Sequence, residues 1–276
     1  MPPSAVAYLG PQGSFAHLVS RQRYGSGYEL VPCPSIDAVF EFVAADPERR
    51  GIVPIENSSG GTIYDTVDLM IAHSPRVTIR EELSINVRLA LLGHREQPVK
   101  VVYSHFVPLH HYRGWLQRNL PGVEQRNVSS TSLAAQHASR EPEAAALSTR
   151  DAAEIYGLDV LRFPIEENDT NVTHFFNLGQ REHPAPESSR TAMAVTLPNR
   201  AGSLHSFLGP FADAGVDLKR IVSRPIYGQP ETYVFFIELE GTEEQTAVQN
   251  ALRAAEEVAA TLVTLGSYPV VPRYES

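Results

Sequence analysis

The sequence predicts an α/β chain in two parts, a region of repeated strand and helix units with parallel strands followed by a small ferredoxin-like βαββαβ unit. Three observations carry this. Short apolar runs alternate with stretches of helical period four times over residues 5–156. A polar, turn-rich stretch without apolar period, Gly179-Gln180-Arg181-Glu182-His183-Pro184-Ala185-Pro186-Glu187-Ser188-Ser189, then interrupts the pattern. Beyond it the element order changes, and 276 residues are enough for two sizeable cores.

Residues 5–9 form an apolar run ended by Gly10-Pro11-Gln12-Gly13-Ser14, after which Phe15, Leu18 and Val19 recur at helical spacing. The same strand, turn and helix order returns at 51–55 with 64–71, at 99–103 with 109–120, and at 144–147 with 151–156. After the polar stretch come a strand (191–197), a helix (203–214), two strands (219–225 and 232–239) around Tyr227-Gly228-Gln229-Pro230, a helix (243–259) and a last strand (263–268). The expected division is 1–180, a linker at 181–190, and 191–276.

Composition narrows the function. An apolar share of 42% and a charged share of 20% fit a globular protein, and no apolar run reaches the roughly 20 residues that span a bilayer. The start, Met1-Pro2-Pro3-Ser4, lacks the features of a secretory leader, and the single Cys33 can make no internal disulfide, so a cytoplasmic protein is expected. A net charge of −9 without a dense Lys/Arg cluster argues against nucleic acid and for a small-molecule or protein ligand. Neighbouring His110 and His111 face apart on a helix, and no metal-ligand spacing occurs, so no metal or other cofactor is expected.

Chemistry is expected at the strand-to-helix turns, because ligands of open α/β sheets bind at the carboxyl ends of strands, where free N–H groups favour anions. One such turn is Gly10 to Phe15, with Ser14 as a helix cap. A second, Glu56-Asn57-Ser58-Ser59-Gly60-Gly61-Thr62, carries more donors and acceptors than a cap requires. A third is Ser129-Ser130-Thr131-Ser132. In Asn168-Asp169-Thr170-Asn171-Val172-Thr173-His174-Phe175-Phe176 polar residues alternate into an apolar strand, with Thr173 and Phe175 on one face and His174 on the other.

Together and in this order, these segments resemble the prephenate dehydratase family in its form with a C-terminal ACT domain. Gly10-Pro11-Gln12-Gly13-Ser14-Phe15 is similar to G-P-x-G-[ST]-[FY], Val53-Pro54-Ile55-Glu56-Asn57-Ser58 to V-P-I-E-N-S, Val102-Tyr103-Ser104-His105 to the start of Y-S-H-P-Q, and Ser129-Ser130-Thr131 to S-S-T-x-x-A. Asn171-Val172-Thr173-His174-Phe175 falls where the family carries N-x-T-R-F. Asn199-Arg200-Ala201-Gly202-Ser203-Leu204 resembles N-x-x-G-A-L, and Ser223-Arg224-Pro225 the end of E-S-R-P.

The resemblance implies a catalytic region of two lobes arranged like a periplasmic binding protein, prephenate in the cleft between them, a homodimer or homotetramer, and phenylalanine as effector of the ACT domain. It implies Thr173 as catalytic donor, Glu56, Asn57, Ser58, Ser104, Ser130, Thr131, Asn171 and Phe175 as substrate-binding residues, and Asn199, Gly202, Leu204 and Arg224 as effector residues. His174 stands where the motif has arginine, Phe106 and Val107 where Y-S-H-P-Q has proline and glutamine, Asn86 and Leu89 where the family's P-I-x-H segment has proline and histidine, and Val222 where E-S-R-P has glutamate. The last exchange predicts weak or absent feedback by phenylalanine.

Exchange of arginine for His174 removes a permanent charge and a planar fork and introduces a group able to give or take a proton near neutral pH. If Thr173 then failed to reach the substrate hydroxyl, carboxylate loss would leave a non-aromatic product that keeps this hydroxyl. The expectation is therefore a non-aromatising prephenate decarboxylase of specialised, antibiotic-type metabolism, forming dihydro-4-hydroxyphenylpyruvate with His174 as proton donor or as the group that reorients Thr173. Ordinary dehydration to phenylpyruvate is the alternative, and a non-catalytic sensor of an aromatic amino acid is a third reading.

Overall fold

A computed structural model describes residues 5–166, 170–180, 189–226 and 228–276. Asn168, Asp169, Tyr227 and residues 181–188 of the expected linker lie outside the described residues. Arg190, placed at the linker's end, instead opens a strand.

The first lobe contains β1 (Ala5–Leu9), α1 (Phe15–Tyr24), β2 (Glu29–Cys33), α2 (Ile36–Ala44), β3 (Arg50–Asn57), β4 (Gly61–Thr62), α3 (Tyr64–His73) and β5 (Thr78–Asn86). The chain crosses to a second lobe of β6 (Ala90–Gly93), β7 (Val101–Ser104), α4 (Phe106–His111), α5 (Arg113–Asn119), β8 (Glu124–Asn127), α6 (Thr131–Ala138), β9 (Ala144–Ser148), α7 (Ala152–Tyr156) and β10 (Asp159–Arg162), and returns as β11 (Val172–Gly179). The ACT-like unit is β12 (Arg190–Thr196), α8 (Ser203–Asp213), β13 (Leu218–Pro225), β14 (Tyr233–Glu240), α9 (Thr246–Glu256) and β15 (Thr261–Tyr268), after which β16 (Tyr274–Glu275) rejoins the first lobe.

Parallel strands were expected, and both sheets of the lobes contain them together with antiparallel pairs. The first runs β16-β5-β11-β3-β1-β2, with β1 parallel to β2 and β3 but β11 antiparallel to both its neighbours. The second runs β10-β6-β9-β7-β8, with β7 parallel to β8 and β9 but β6 antiparallel to β9 and β10. A parallel pair needs a crossover such as a helix, and the strands that break the rule, β6 and β11, enter their sheets directly from the other lobe. These two crossings form a hinge, hydrogen-bonded from Val87 N to Asn171 O at 2.7 Å.

Residues 109–120, expected as one helix, form α4 and α5, separated at Tyr112 by its non-helical backbone (ψ 14°). Helix α4 also starts earlier than expected, at Phe106. Pro108 is tolerated in its first turn because an N–H there has no intrahelical acceptor. Elsewhere small residues permit close packing. A Cβ on Gly51 would lie 2.7 Å from both Val39 and Val43, so glycine lets α2 lie directly on β3.

The last sheet, ordered β13-β14-β12-β15, is antiparallel throughout. Alternation along β12 gives it two buried faces. Met193 and Val195 pack with Phe207 and Phe211 under α8 and α9, whereas Ala192 and Ala194 join Val222, Phe236, Leu265 and Tyr268 against the first lobe. Phe176 of β11 enters that second cluster, with its ring 6.2 Å from Phe236 and 6.0 Å from Tyr268. The ACT sheet is thereby fastened to the back of the first lobe.

Gly266 makes this contact possible, with φ at +141° and a position where a Cβ would lie 2.5 Å from Ile79 O. Gly266→Ala is expected to destabilise by about 1–3 kcal/mol through backbone strain and a forced retreat of β15. A thermal melt checks this, and an unchanged transition would contradict it. No helix among the described residues is long and apolar enough to cross a membrane.

Candidate active site

Between the lobes lies a cavity of about 350 Å³, built from the turns at the carboxyl ends of strands. The first lobe contributes Leu9, Gly10 and Ser14 to Ala16 at the β1–α1 turn, Asn57 at the end of β3 with Gly60, Gly61 and Ile63 beyond it, and Thr173 and Phe175 of β11. The second contributes His105 to Pro108, His111 and Tyr112 along α4 and Ser129 to Thr131 before α6, while Val87, Leu89 and Asn171 close the hinge side.

Thr173 is held by its neighbours. Asn57 Nδ2 donates to Thr173 Oγ1 at 2.9 Å and to Asn171 Oδ1 at 2.7 Å, and Asn57 Oδ1 accepts from the backbone N–H groups of Ser59 (3.0 Å) and Gly60 (2.8 Å). Every polar atom of the Asn57 amide is thus engaged. Because Thr173 Oγ1 accepts from Asn57, its own proton is available to a ligand in the cavity. Thr173 is 8% exposed, so a hydrogen bond given there works in a largely desolvated setting.

Among the described residues the lining contains no Asp, Glu, Lys or Arg, and its imidazoles are those of His105 and His111. His105 caps α4, with Nδ1 accepting weakly from Val107 N at 3.4 Å, so the proton of its neutral ring sits on Nε2. Burial lowers the pKa of His105 below the ordinary histidine value, which favours that neutral ring. An anion must then be met by backbone and hydroxyl donors. The N-termini of α1, ten residues long, and α6, eight long, both open onto the cavity at Ser14-Phe15-Ala16 and Ser130-Thr131. Ser14 and Ser130 satisfy one N–H each as caps, accepting from His17 N and Leu133 N, which leaves the first-turn amides for a ligand.

Of the residues expected to bind or transform substrate, the structure brings Asn57, Ser130, Thr131, Asn171, Thr173 and Phe175 together at the cavity. Four it does not. Ser104 is fully buried under β9 and donates to Leu147 O at 2.9 Å. Ser58 braces the back of the turn, accepting from Val172 N at 2.9 Å. Glu56 and His174 project from the opposite face of the sheet, because side chains alternate along β3 and β11 and the in-facing places belong to Asn57 and Thr173. His174 Nδ1 lies 2.7 Å from Glu82 Oε1, and Glu56 Oε2 accepts from Arg220 Nε of the ACT unit at 2.9 Å. The expected role of His174 as proton donor to substrate does not fit this position.

Among the expected effector residues, Asn199 and Gly202 are exposed and Leu204 half-buried in the loop after β12 and at the start of α8. Arg224 shares their end of the sheet, since Val234 pairs with Arg224 on one side and Thr196 on the other. Its guanidinium, however, is committed to Asp68 of α3 by two 2.6 Å hydrogen bonds and lies over the Tyr64 ring. Val222 packs between the ACT sheet and the first lobe, so the exchange at that position alters an interface.

Ser14 and Phe15 of the expected first turn line the cavity, and sequence reasoning did not place His105, Val107 or His111 in its wall. The same rule that singled out the other turns applies to the turn between β7 and α4, and it would have found the stretch from His105. Among the described residues no cluster of three or more His, Cys, Asp or Glu is arranged to hold a metal.

The family model described as prephenate dehydratase matches residues 6–183, and that of the ACT domain residues 192–257. The chain is 36% identical over 269 residues to a bifunctional chorismate mutase/prephenate dehydratase of Stutzerimonas stutzeri, covering 97% of this chain and 73% of the relative. Two solved structures are similar over nearly the whole chain. One is a prephenate dehydratase from Arthrobacter aurescens in complex with L-Phe (TM-score 0.87, 28% identity, 96% of this chain and 89% of that one). The other is described as GqqA, a novel type of quorum quenching acylase (TM-score 0.88, 25% identity, 97% and 98%).

Proposed function

The chain belongs to the prephenate dehydratase family and carries a C-terminal ACT domain, and on that premise we propose that it is a lyase that binds prephenate between its lobes and expels carbon dioxide and water from it, forming phenylpyruvate. One observation carries the choice of reaction. The hydroxyl of Thr173, held by Asn57 at 2.9 Å, faces the cavity, whereas the exchanged position of the T-R-F motif faces away from it.

Prephenate is a dianion with a carboxylate and a pyruvyl group on C1 and a hydroxyl on C4. Its two carboxylates suit the two helix N-termini, and its ring suits the apolar wall of Phe15, Val87, Leu89, Phe106 and Phe175. When the C1 carboxylate leaves as CO₂, the electron pair of the broken bond moves through the ring and expels the C4 hydroxyl, which takes up one proton and departs as water. Thr173 supplies the hydrogen bond on which that departure depends. The apolar wall favours loss of the carboxylate charge.

Non-aromatising decarboxylation is the second reading. It also consumes one proton but delivers it to a ring carbon, so that the hydroxyl stays. The imidazoles of His105 and His111 in the cavity wall are the observation in its favour, because either could relay such a proton. Incubation of the purified protein with prephenate at neutral pH, against a control without enzyme, separates the readings by product mass. Phenylpyruvate is expected. A keto acid heavier by one water would overturn the dehydratase assignment in favour of the decarboxylase, and unchanged prephenate would overturn both.

A further inference from the structure

The two strands that present Asn57 and Thr173 to the cavity present Glu56 and His174 to the ACT sheet behind them. Glu56 Oε2 accepts from Arg220 Nε at 2.9 Å, and Arg220 also pairs with the fully buried Glu238, which accepts from the hydroxyl of Tyr268. His174 Nδ1 meets Glu82 Oε1 at 2.7 Å, and the second oxygen of Glu82 pairs with Arg190 at the start of the ACT sheet. Glu82 is 1% exposed and Arg220 11%, while Glu56 at 38% reaches water, so a charge cluster with a buried centre crosses the domain boundary.

We infer that Arg190 and Arg220 are positioning residues for the Asn57–Thr173 pair, gripping the backs of β11 and β3 through Glu82–His174 and Glu56. Each link is one residue from the group it positions, and strand alternation converts a pull on one face into a shift of the other. The groups facing His174 are Glu82 and Ser84 of β5 and Glu56 of β3, with Arg190, Arg220, Glu238 and Tyr268 behind them. Three carboxylates here oppose two guanidiniums. An arginine at position 174 would bring the cluster a permanent third positive charge.

The test follows total consumption of prephenate, whichever keto acid forms, at neutral pH. Arg190→Gln and Arg220→Gln should each lower kcat by about 5- to 50-fold with little change in KM, and Arg220→Lys should recover part of the loss by keeping a positive charge against Glu56. Unchanged kcat in both Gln forms, or a loss that falls on KM alone, would overturn the inference, since a merely structural role would not act on kcat alone.

This kinetic arm rests on the reading of the protein as prephenate-consuming. Hydrogen exchange does not. Arg190→Gln and Arg220→Gln should speed exchange of the Thr173 to Phe176 amides about tenfold or more, while Arg253→Gln on α9 leaves them unchanged. Unaltered protection in both variants would sink the coupling even if prephenate is turned over, and faster exchange without turnover would sink only the functional reading.

Discussion

Thr173→Val is expected to lower kcat for prephenate by about 10²- to 10⁴-fold while moving KM by less than about threefold. Valine keeps the shape of threonine and removes the one hydroxyl that Asn57 directs into the cavity. The N-termini of α1 and α6, proposed to hold the two carboxylates, are untouched, which is why KM should hold. Asn57 Nδ2 keeps its 2.7 Å bond to Asn171, so the loss in stability should be only about 1 kcal/mol, and a melt of the variant separates this from the kinetic effect. Thr173→Ser restores the donor and should recover most of the rate. If Thr173→Val keeps more than a tenth of the activity, the leaving hydroxyl is assisted from elsewhere and His105 becomes the next candidate.

Glu82→Ala is expected to destabilise the protein by about 3 kcal/mol, near the lower end of the range for breaking an interior ion pair. Arg190 and His174 would lose their common carboxylate, but at 22% and 29% exposure they would regain some water. Burial by itself raises the pKa of Glu82. The hydrogen bond from His174 and the charges of Arg190, His174 and Arg220 outweigh it and hold the carboxyl below its usual value. The sign of the pH effect follows. A carboxylate with a depressed folded pKa contributes its full stability above the unfolded value of 4.5 and loses it as pH falls through the lower folded value. Melting curves below pH 4.5 should therefore show the unaltered protein losing stability faster than Glu82→Gln. Parallel decline of the two would mean that Glu82 adds nothing to the acid response.

Much of the cavity was legible beforehand because its parts are local. Turn formers between an apolar run and a helical period mark a strand-to-helix connection wherever they occur, and four such connections from two sheets converge here. Hydroxyls such as Ser130 announce a helix N-terminus for the same local reason. Alternation along Thr173, His174 and Phe175 was also legible and was correct. Its consequence for Glu56 was available too, since Asn57 beside it must face the other way, and only the strength of the P-I-E-N-S resemblance kept Glu56 among the expected substrate contacts.

What the sequence by itself determined about this protein is its membership and its parts: two α/β lobes, a βαββαβ unit behind a polar stretch, and the residues that each turn carries. Periods of 2 and 3.6 residues and the rigid preferences of glycine and proline act over a few residues, so they are written in the order of the chain. Tertiary structure alone decided which face of β3 and β11 meets ligand and which meets the ACT sheet. That choice depends on Arg190 and Arg220, the latter more than 160 residues from Glu56, arriving against the back of the first lobe. No local pattern records such an encounter, because interior charges are stabilised by whatever partner the docked domains bring within reach. The exchange at position 174 looked catalytic as a letter in a motif, and in the folded chain it belongs to the joint between domains.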